Sequence, residues 1–226
     1  MQEYGKIKLK KINSFNRFIF SLISAASILP CISSKINLYT NIDAIKRKMP
    51  NVLIVTVDDM TYNSVGVFGC EIPDITPNID KLASEGIRFT HAFVNTAVCA
   101  PCRQSLQTGR YPHNNGAEGF EPINVDVPTL SEQLKKAGYI NGILGKEIHH
   151  QPVAKFCWDF IPFITEKDSV WRNGFSRSPT LFKDYSTKFF EMAKAQKRPF
   201  FLLANSHDPH RPFVGSSADT ATFGNM

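Results

Sequence analysis

The 226-residue sequence predicts an α/β domain built around a largely parallel sheet, and three observations carry that expectation. Apolar, β-branched runs at 51–57, 139–144 and 199–204 have the composition of buried parallel strands. Helical patterns alternate with them, as in a parallel α/β sheet. Charged or imidazole side chains follow each run: Asp58-Asp59, then Lys146 with His149, then Asp208 with His210. In open α/β sheets the site lies beyond the carboxyl ends of the strands. Three separate segments are therefore expected to deliver these groups to one edge.

Each element has a local reason. Residues 51–57 (NVLIVTV) read as a central strand buried on both faces. Thr76-Pro77 opens a helix, with Thr as the N-cap and Pro at the first helical position. Ile79, Leu82 and Ala83 give that helix one apolar face, and Gly86 stops it. Residues 87–93 read as a second strand. A helix over 101–107 opens directly after Cys99 and ends at Gly109. Thr129 and Glu132 are spaced as a capping box for a helix through Ala137, stopped by Gly138. Residues 151–180 are irregular and aromatic, 181–196 are helical in pattern, and 199–204 (PFFLLA) form a further buried strand.

The formal net charge of +6 belongs to the N-terminus. Residues 1–50 hold nine Lys and Arg against Glu3 and Asp43, a balance of +7, which leaves −1 for the rest. The body thus offers no compositional case for nucleic-acid binding. A basic stretch at 6–17, an apolar run at 18–29 and small residues after it have the layout of a secretory signal peptide. The expected organisation is a signal peptide over 1–34, a linker over 35–48 and one domain from 49 to 226. The apolar run is shorter than the roughly 20 residues of a membrane span. Contact with a membrane is expected only through the leader or a lipid on Cys31, which Pro30 disfavours. Export to a periplasmic, secreted or lysosomal-type compartment would let Cys99 and Cys102 pair.

Adjacent carboxylates such as Asp58-Asp59 repel unless a cation compensates them, and hard divalent cations, Ca²⁺ or Mg²⁺, take oxygen ligands. The run Cys99-Ala100-Pro101-Cys102-Arg103, followed by Leu106 and Thr108-Gly109-Arg110, admits two readings. As Cys-x-x-Cys before a helix it suits a thiol–disulfide oxidoreductase, because a helix N-terminus lowers a thiol pKa. As Cys-x-Pro-x-Arg with a trailing Thr-Gly-Arg it places Cys99 at an anion-binding helix start. The first reading expects an aromatic residue before the first cysteine and a strand running directly into the motif. Here Val98 precedes it, and Asn95-Thr96-Ala97 intervene. A zinc knuckle would need a second Cys/His pair at the right spacing, and none lies nearby.

Taken together, residues 51–59, 76–83, 89–93 and 99–110, Gly145-Lys146 with His149, Lys155-Phe156, Trp158-Asp159 and 207–213 resemble the N-terminal half of a type I sulfatase. The last segment is similar to that of heparan N-sulfatases and, less closely, iduronate sulfatases. The resemblance implies an alkaline-phosphatase-like α/β/α sandwich. It implies that Cys99 becomes formylglycine through a formylglycine-generating enzyme, its aldehyde hydrate supplying the nucleophile. It implies Ca²⁺, in preference to Mg²⁺, held by Asp58, Asp59 and the modified Cys99. Arg103 would hold the hydrate and the metal-side carboxylates, and Lys146 would neutralise sulfate oxygens. His149 would take a proton as sulfate is eliminated. His210 would contact sulfate or protonate the leaving group, and Asp208 and Arg211 would lie on the substrate side. The substrate would be a sulfated carbohydrate, cleaved at a sulfate ester or a sulfamate. For His91, His113 and His150 a loop or core role is expected, and His207 stays open.

Two departures qualify the resemblance. Cys102 stands where the family has serine. The family's second metal pair lies C-terminal to the His-Asp-Pro-His segment, and no Asp-Asn pair occurs between residue 211 and Met226. The C-terminal part of the fold and two calcium ligands are thus expected to be missing from these 226 residues. The alternative function is accordingly a truncated, inactive sulfatase-like protein, with the Cys-x-x-Cys oxidoreductase ranked behind it.

Overall fold

The computed structural model describes residues 49–162, 178–213 and 216–217, all within one compact unit that spans Lys48–Met226. The leader expected over 1–34, the linker over 35–48 and Cys31 lie outside the described residues. No helix among the described residues is long and apolar enough to cross a membrane.

Among the described residues three strands form a parallel sheet: β1 (Val52–Thr56), β2 (Ile140–Leu144) and β3 (Phe200–Asn205), in the order β1-β3-β2. The chain threads helices α1 (Pro77–Glu85), α2 (Cys99–Thr108), α3 (Pro112–Asn115) and α4 (Leu130–Lys136) between β1 and β2, and α5 (Pro179–Gln196) between β2 and β3. The late strand β3 therefore lies at the centre. Its register pairs Val52 with Phe201 and Thr56 with Asn205 on one side, and Ile140 with Phe200 and Leu144 with Ala204 on the other.

Strand alternation sorts the core into two layers. Ile140, Leu144, Leu202 and Ala204 pack against Phe189 and Ala193 of α5. Ile143, Phe201 and Leu203 face the other way, against Val52, Ile54, Leu130, Leu134 and Trp158. The result is a helix–sheet–helix arrangement, as the sequence predicts. The capping box forms as expected: the Thr129 hydroxyl accepts from the Glu132 N–H at 3.2 Å, and the Glu132 carboxylate accepts from the Thr129 N–H at 2.8 Å. The left-handed Gly109 closes α2.

Two strand expectations fail, each for want of a packing neighbour. Residues 51–57 were expected to be buried on both faces, yet β1 is an edge strand among the described residues. Leu53 is 51% and Val55 63% exposed, because α5 covers only β2 and β3. Residues 87–93, expected as a strand, run as irregular chain with Ile87, Phe89 and Phe93 exposed. A β-type composition yields a strand only where a neighbour takes up its backbone groups. No described strand lies beside this segment. Thr76 also departs from its expected role. Its hydroxyl makes no capping bond to α1; it accepts from the Gly66 N–H and donates to Asp80.

Gly142, at the middle of β2, shows how tightly α5 sits on the sheet. A Cβ there would lie 2.5–2.9 Å from ring carbons of the fully buried Phe189. Gly142→Ala is expected to lower stability by about 1–3 kcal/mol through overpacking, read as a lower urea midpoint at an unchanged denaturant slope.

Candidate functional site

The carboxyl ends of the three strands are joined by one side-chain network. Thr56 ends β1 and Asn205 ends β3, side by side in register. The Thr56 hydroxyl donates to Asn205 Oδ1 at 2.6 Å, and the Asn205 amide donates to the carbonyls of Leu144 at 3.2 Å and Gly145 at 2.8 Å. Into this junction α2 sends Arg103. Its Nη1 donates to Thr56 Oγ1 at 2.8 Å and Asn205 Oδ1 at 2.5 Å, and its Nη2 to Asp58 Oδ1 at 3.1 Å. Lys146 Nζ forms an ion pair with the other Asp58 oxygen. Asp58, Arg103, Lys146 and Asn205 are all buried.

Local backbone geometry brings Lys146 there. Gly145 and Lys146 both adopt left-handed conformations, φ 67° and 59°, directly after β2. The second is costly for a residue with a side chain. Asp59 is left-handed as well, at φ 57°. It separates two neighbouring carboxylates. Asp58 turns inward to the cations, and the side chain of Asp59 is 57% exposed. Burial by itself would raise the Asp58 carboxyl pKa. Lys146 and Arg103 outweigh that effect and hold it below its ordinary value.

The histidines divide by environment. His149 follows Lys146 in a short 3₁₀ turn, 147–149. Burial, with Lys146 and Arg103 adding to it, depresses its pKa to about 4, so it is neutral at pH 7, and its buried Nδ1 has no hydrogen-bond partner among the described residues. His150 is a core residue. Its Nδ1–H donates to the Lys146 carbonyl at 3.1 Å, its ring meets Phe156 and Trp158 edge-on, and burial pushes its pKa to about 3. His91 and His113 are exposed. His210 Nε2 lies 3.7 Å from Asp59 Oδ2, and its ring is 4.8 Å from that of the buried His207. The Asp58 N–H donates to the Asp208 carbonyl at 3.4 Å, which ties the 207–211 segment to the end of β1. Arg211 is exposed.

Cys99 is the first residue of α2 and lies four residues before Arg103. That spacing puts both on one helix face, so Cys99 opens the face that carries Arg103 to Asp58. Cys102 is partly buried, and desolvation pushes its thiol pKa up. The structure therefore brings Asp58, Arg103, Lys146 and His149 together, with Asp59, Asp208 and His210 alongside and Cys99 one helical turn before Arg103. The motifs at 155–159 do something else. Lys155 pairs with Glu132 at 3.1 Å, Phe156 and Trp158 stack in the core, and Asp159 accepts from the Asn141 N–H at 2.9 Å.

Thr56 and Asn205 were missed by the sequence reading. Their signal was present: each is a hydrogen-bonding side chain at the end of an otherwise apolar buried run, a position that demands a partner.

Asp58 and Asp59 carry hard oxygen donors of the kind a divalent cation of the calcium type takes, but here both Asp58 oxygens are engaged by Arg103 and Lys146 and Asp59 turns outward, so holding such an ion would require Asp58 to exchange a cationic partner for it. The two carboxylates would fill part of the roughly six to eight oxygen positions such an ion takes. Among the described residues no group of three or more His, Cys, Asp or Glu side chains forms a metal site.

Comparison with known proteins identifies the family and the fold. The sulfatase family profile matches residues 50–225. Human iduronate 2-sulfatase is 30% identical over 197 residues, covering 72% of this chain and 36% of that protein. The structure of BT4656 in complex with its substrate D-glucosamine-2-N,6-O-disulfate aligns with a TM-score of 0.61 and 26% identity, over 73% of this chain and 35% of that one. A protein of the alkaline phosphatase superfamily from Vibrio parahaemolyticus shares the fold, with a TM-score of 0.51 and 21% identity over 75% of this chain and 43% of that one. The chain spans about a third of the length of the curated relatives it matches first.

Two outcomes follow for the isolated protein. Asn205→Ala strands the Leu144 and Gly145 carbonyls and loosens Arg103, and is expected to cost about 2–3 kcal/mol by urea unfolding. Stability should also fall on acidification from pH 6.5 towards 4. His149 and His150 have depressed pKa values in the folded state, so the unfolded chain binds more protons across that window. Asp58 extends the loss as pH falls through its lowered pKa. His150→Gln should flatten the slope between pH 6.5 and 4 in urea titrations run at a series of pH values.

Proposed function

Given that the chain belongs to the sulfatase family, we propose that it carries the strand-end half of a sulfatase active site acting on a sulfated carbohydrate. The observation that carries this reading is the buried junction of one carboxylate, Asp58, with two cations, Arg103 and Lys146, beside a neutral histidine. Two cations around one buried carboxylate leave an excess of positive charge, which suits a transferring sulfuryl group.

The roles follow from chemistry and position. Formylglycine made from Cys99 would supply the nucleophile. Arg103, locked by Thr56 and Asn205, would keep the start of α2 in line with Asp58. Lys146 would offer its ammonium to the sulfate oxygens. His149, neutral at pH 7, can accept a proton, and its unpartnered Nδ1 is an atom at which to do so. His210 would serve the leaving-group side, with Asp208 and Arg211 towards the sugar. Asp58 and Asp59 would contribute to holding Ca²⁺, which would supply Lewis-acid charge neutralisation when bound. Export by the N-terminal leader, and maturation by a formylglycine-generating enzyme, complete the proposal.

The chain should be produced together with a formylglycine-generating enzyme and assayed with Ca²⁺ on an aryl sulfate and on D-glucosamine-2-N,6-O-disulfate. The expected outcome is a formylglycine mass at Cys99, with any sulfate release abolished in Cys99→Ala and reduced about 10²–10⁴-fold in His149→Ala. Which sulfate leaves the disulfated sugar distinguishes ester from sulfamate cleavage. Sulfate release that survives Cys99→Ala would sink the proposal. Conversion without turnover would favour a sulfate-binding, non-catalytic protein.

A further inference from the structure

The chemistry proposed above gives Cys99 a role and leaves Cys102 without one. Both cysteines are free and partly exposed, and both lie in the first turn of α2. Cys99 is its first residue, and the Cys102 N–H donates to the Val98 carbonyl at 3.0 Å. Helix geometry puts Cα atoms three residues apart at about 5 Å, inside the roughly 4.4–6.8 Å span that a disulfide bridges. The Cβ atoms must approach by about 1–2 Å from their helical spacing. The start of the helix permits this, because Val98 is extended and no helical turn precedes Cys99 to confine its side chain. Cys102 also borders an open cavity of about 400 Å³, lined by Phe93, Leu106, Arg110 and Tyr111 among others, which gives a small thiol reagent access to the turn. The other described cysteines lie apart in sequence, Cys70 after the 66–68 turn and Cys157 against the Lys155 carbonyl.

We propose that Cys99 and Cys102 form a reversible disulfide within the first turn of α2, a redox latch that withholds Cys99 from maturation. The latch, as distinct from the disulfide, rests on the reading of Cys99 as the formylglycine precursor. The oxidant is a low-molecular-weight disulfide of the glutathione class. One cysteine thiolate attacks a sulfur of that disulfide; its S–S bond breaks, and the departing glutathione thiolate takes up the proton the cysteine gave up. The second cysteine then attacks the mixed disulfide, forming the Cys99–Cys102 bond and releasing the second glutathione with the second proton. Two protein thiols are oxidised and one glutathione disulfide is reduced to two thiols. Only a free Cys99 thiol can enter conversion, so the latched protein is inert to the maturation enzyme until a dithiol reduces it.

Tryptic cleavage after Arg88 and Arg103 isolates both residues in one peptide, 89–103, whose cysteines are Cys99 and Cys102 alone. The reduced chain is incubated with glutathione disulfide, its remaining thiols are alkylated, and the peptide is weighed. The expected mass is that of the unalkylated peptide less two hydrogens, reverting to the doubly alkylated form after dithiothreitol. In Cys102→Ser the same peptide should instead carry glutathione on Cys99. A doubly alkylated peptide, separate glutathione adducts on both residues, or a cross-link to Cys70 or Cys157 would overturn the pair. In the second arm, reduced and oxidised chains are offered to a formylglycine-generating enzyme. Conversion of the reduced wild type, its loss in the oxidised wild type and its return after dithiothreitol support the latch. Equal conversion of both forms overturns it. Conversion of neither form, with the disulfide mass present, supports the pair as a modification site and counts against the maturation reading instead.

Discussion

Arg103 is the interaction on which the strand-end structure depends. A buried guanidinium needs acceptors along its fork, and an isolated charge in that environment would cost several kcal/mol. Thr56, Asn205 and Asp58 provide those acceptors from the ends of β1 and β3 and from the first residues beyond β1. Asn205 then turns its amide to the end of β2. One side chain of α2 is thereby wired to all three strands. Because Asn205 sits on the central strand, it is, among the described residues, the strand-end position with neighbours on both sides.

That wiring also organises the charges. Asp58 is flanked by two cations and stays ionised, while the same cations and burial keep His149 neutral. A carboxylate held charged and an imidazole held uncharged, side by side, form a division of labour that catalytic sites use, one group electrostatic and the other able to accept a proton. His150 shows that a depressed pKa alone does not mark function. Its shift comes from complete burial, and its ring is spent on supporting the Lys146 carbonyl and filling the core.

The first turn of α2 combines two demands on one cysteine. Placement at the helix start and on the face that leads to Arg103 gives Cys99 its position relative to Asp58. The same placement puts it within one turn of Cys102, whose sulfur would compete for it under oxidising conditions. The chemistry available to Cys99 is therefore set by its neighbour as well as by its site.

Much of this was legible in the sequence. Three apolar runs and their polar sequels announced a parallel sheet and the edge at which its polar groups gather, because burial on a pleated sheet imposes an unbroken apolar pattern and strand ends are where that pattern stops. The Thr129–Glu132 cap was legible because its hydrogen bonds join residues three apart. Local spacing also placed Cys99 and Arg103 on one helix face. What the tertiary structure decided were the relations that no local pattern contains. These are the central position of β3, the exposure of Leu53 and Val55 on an edge strand, the absence of a strand at 87–93, and the junction of Thr56, Asn205 and Arg103. A strand's composition says that it can be buried, but only its neighbours determine whether it is. A polar residue at the end of an apolar run says that it needs a partner, but only the packed sheet and helix bring that partner within hydrogen-bonding distance.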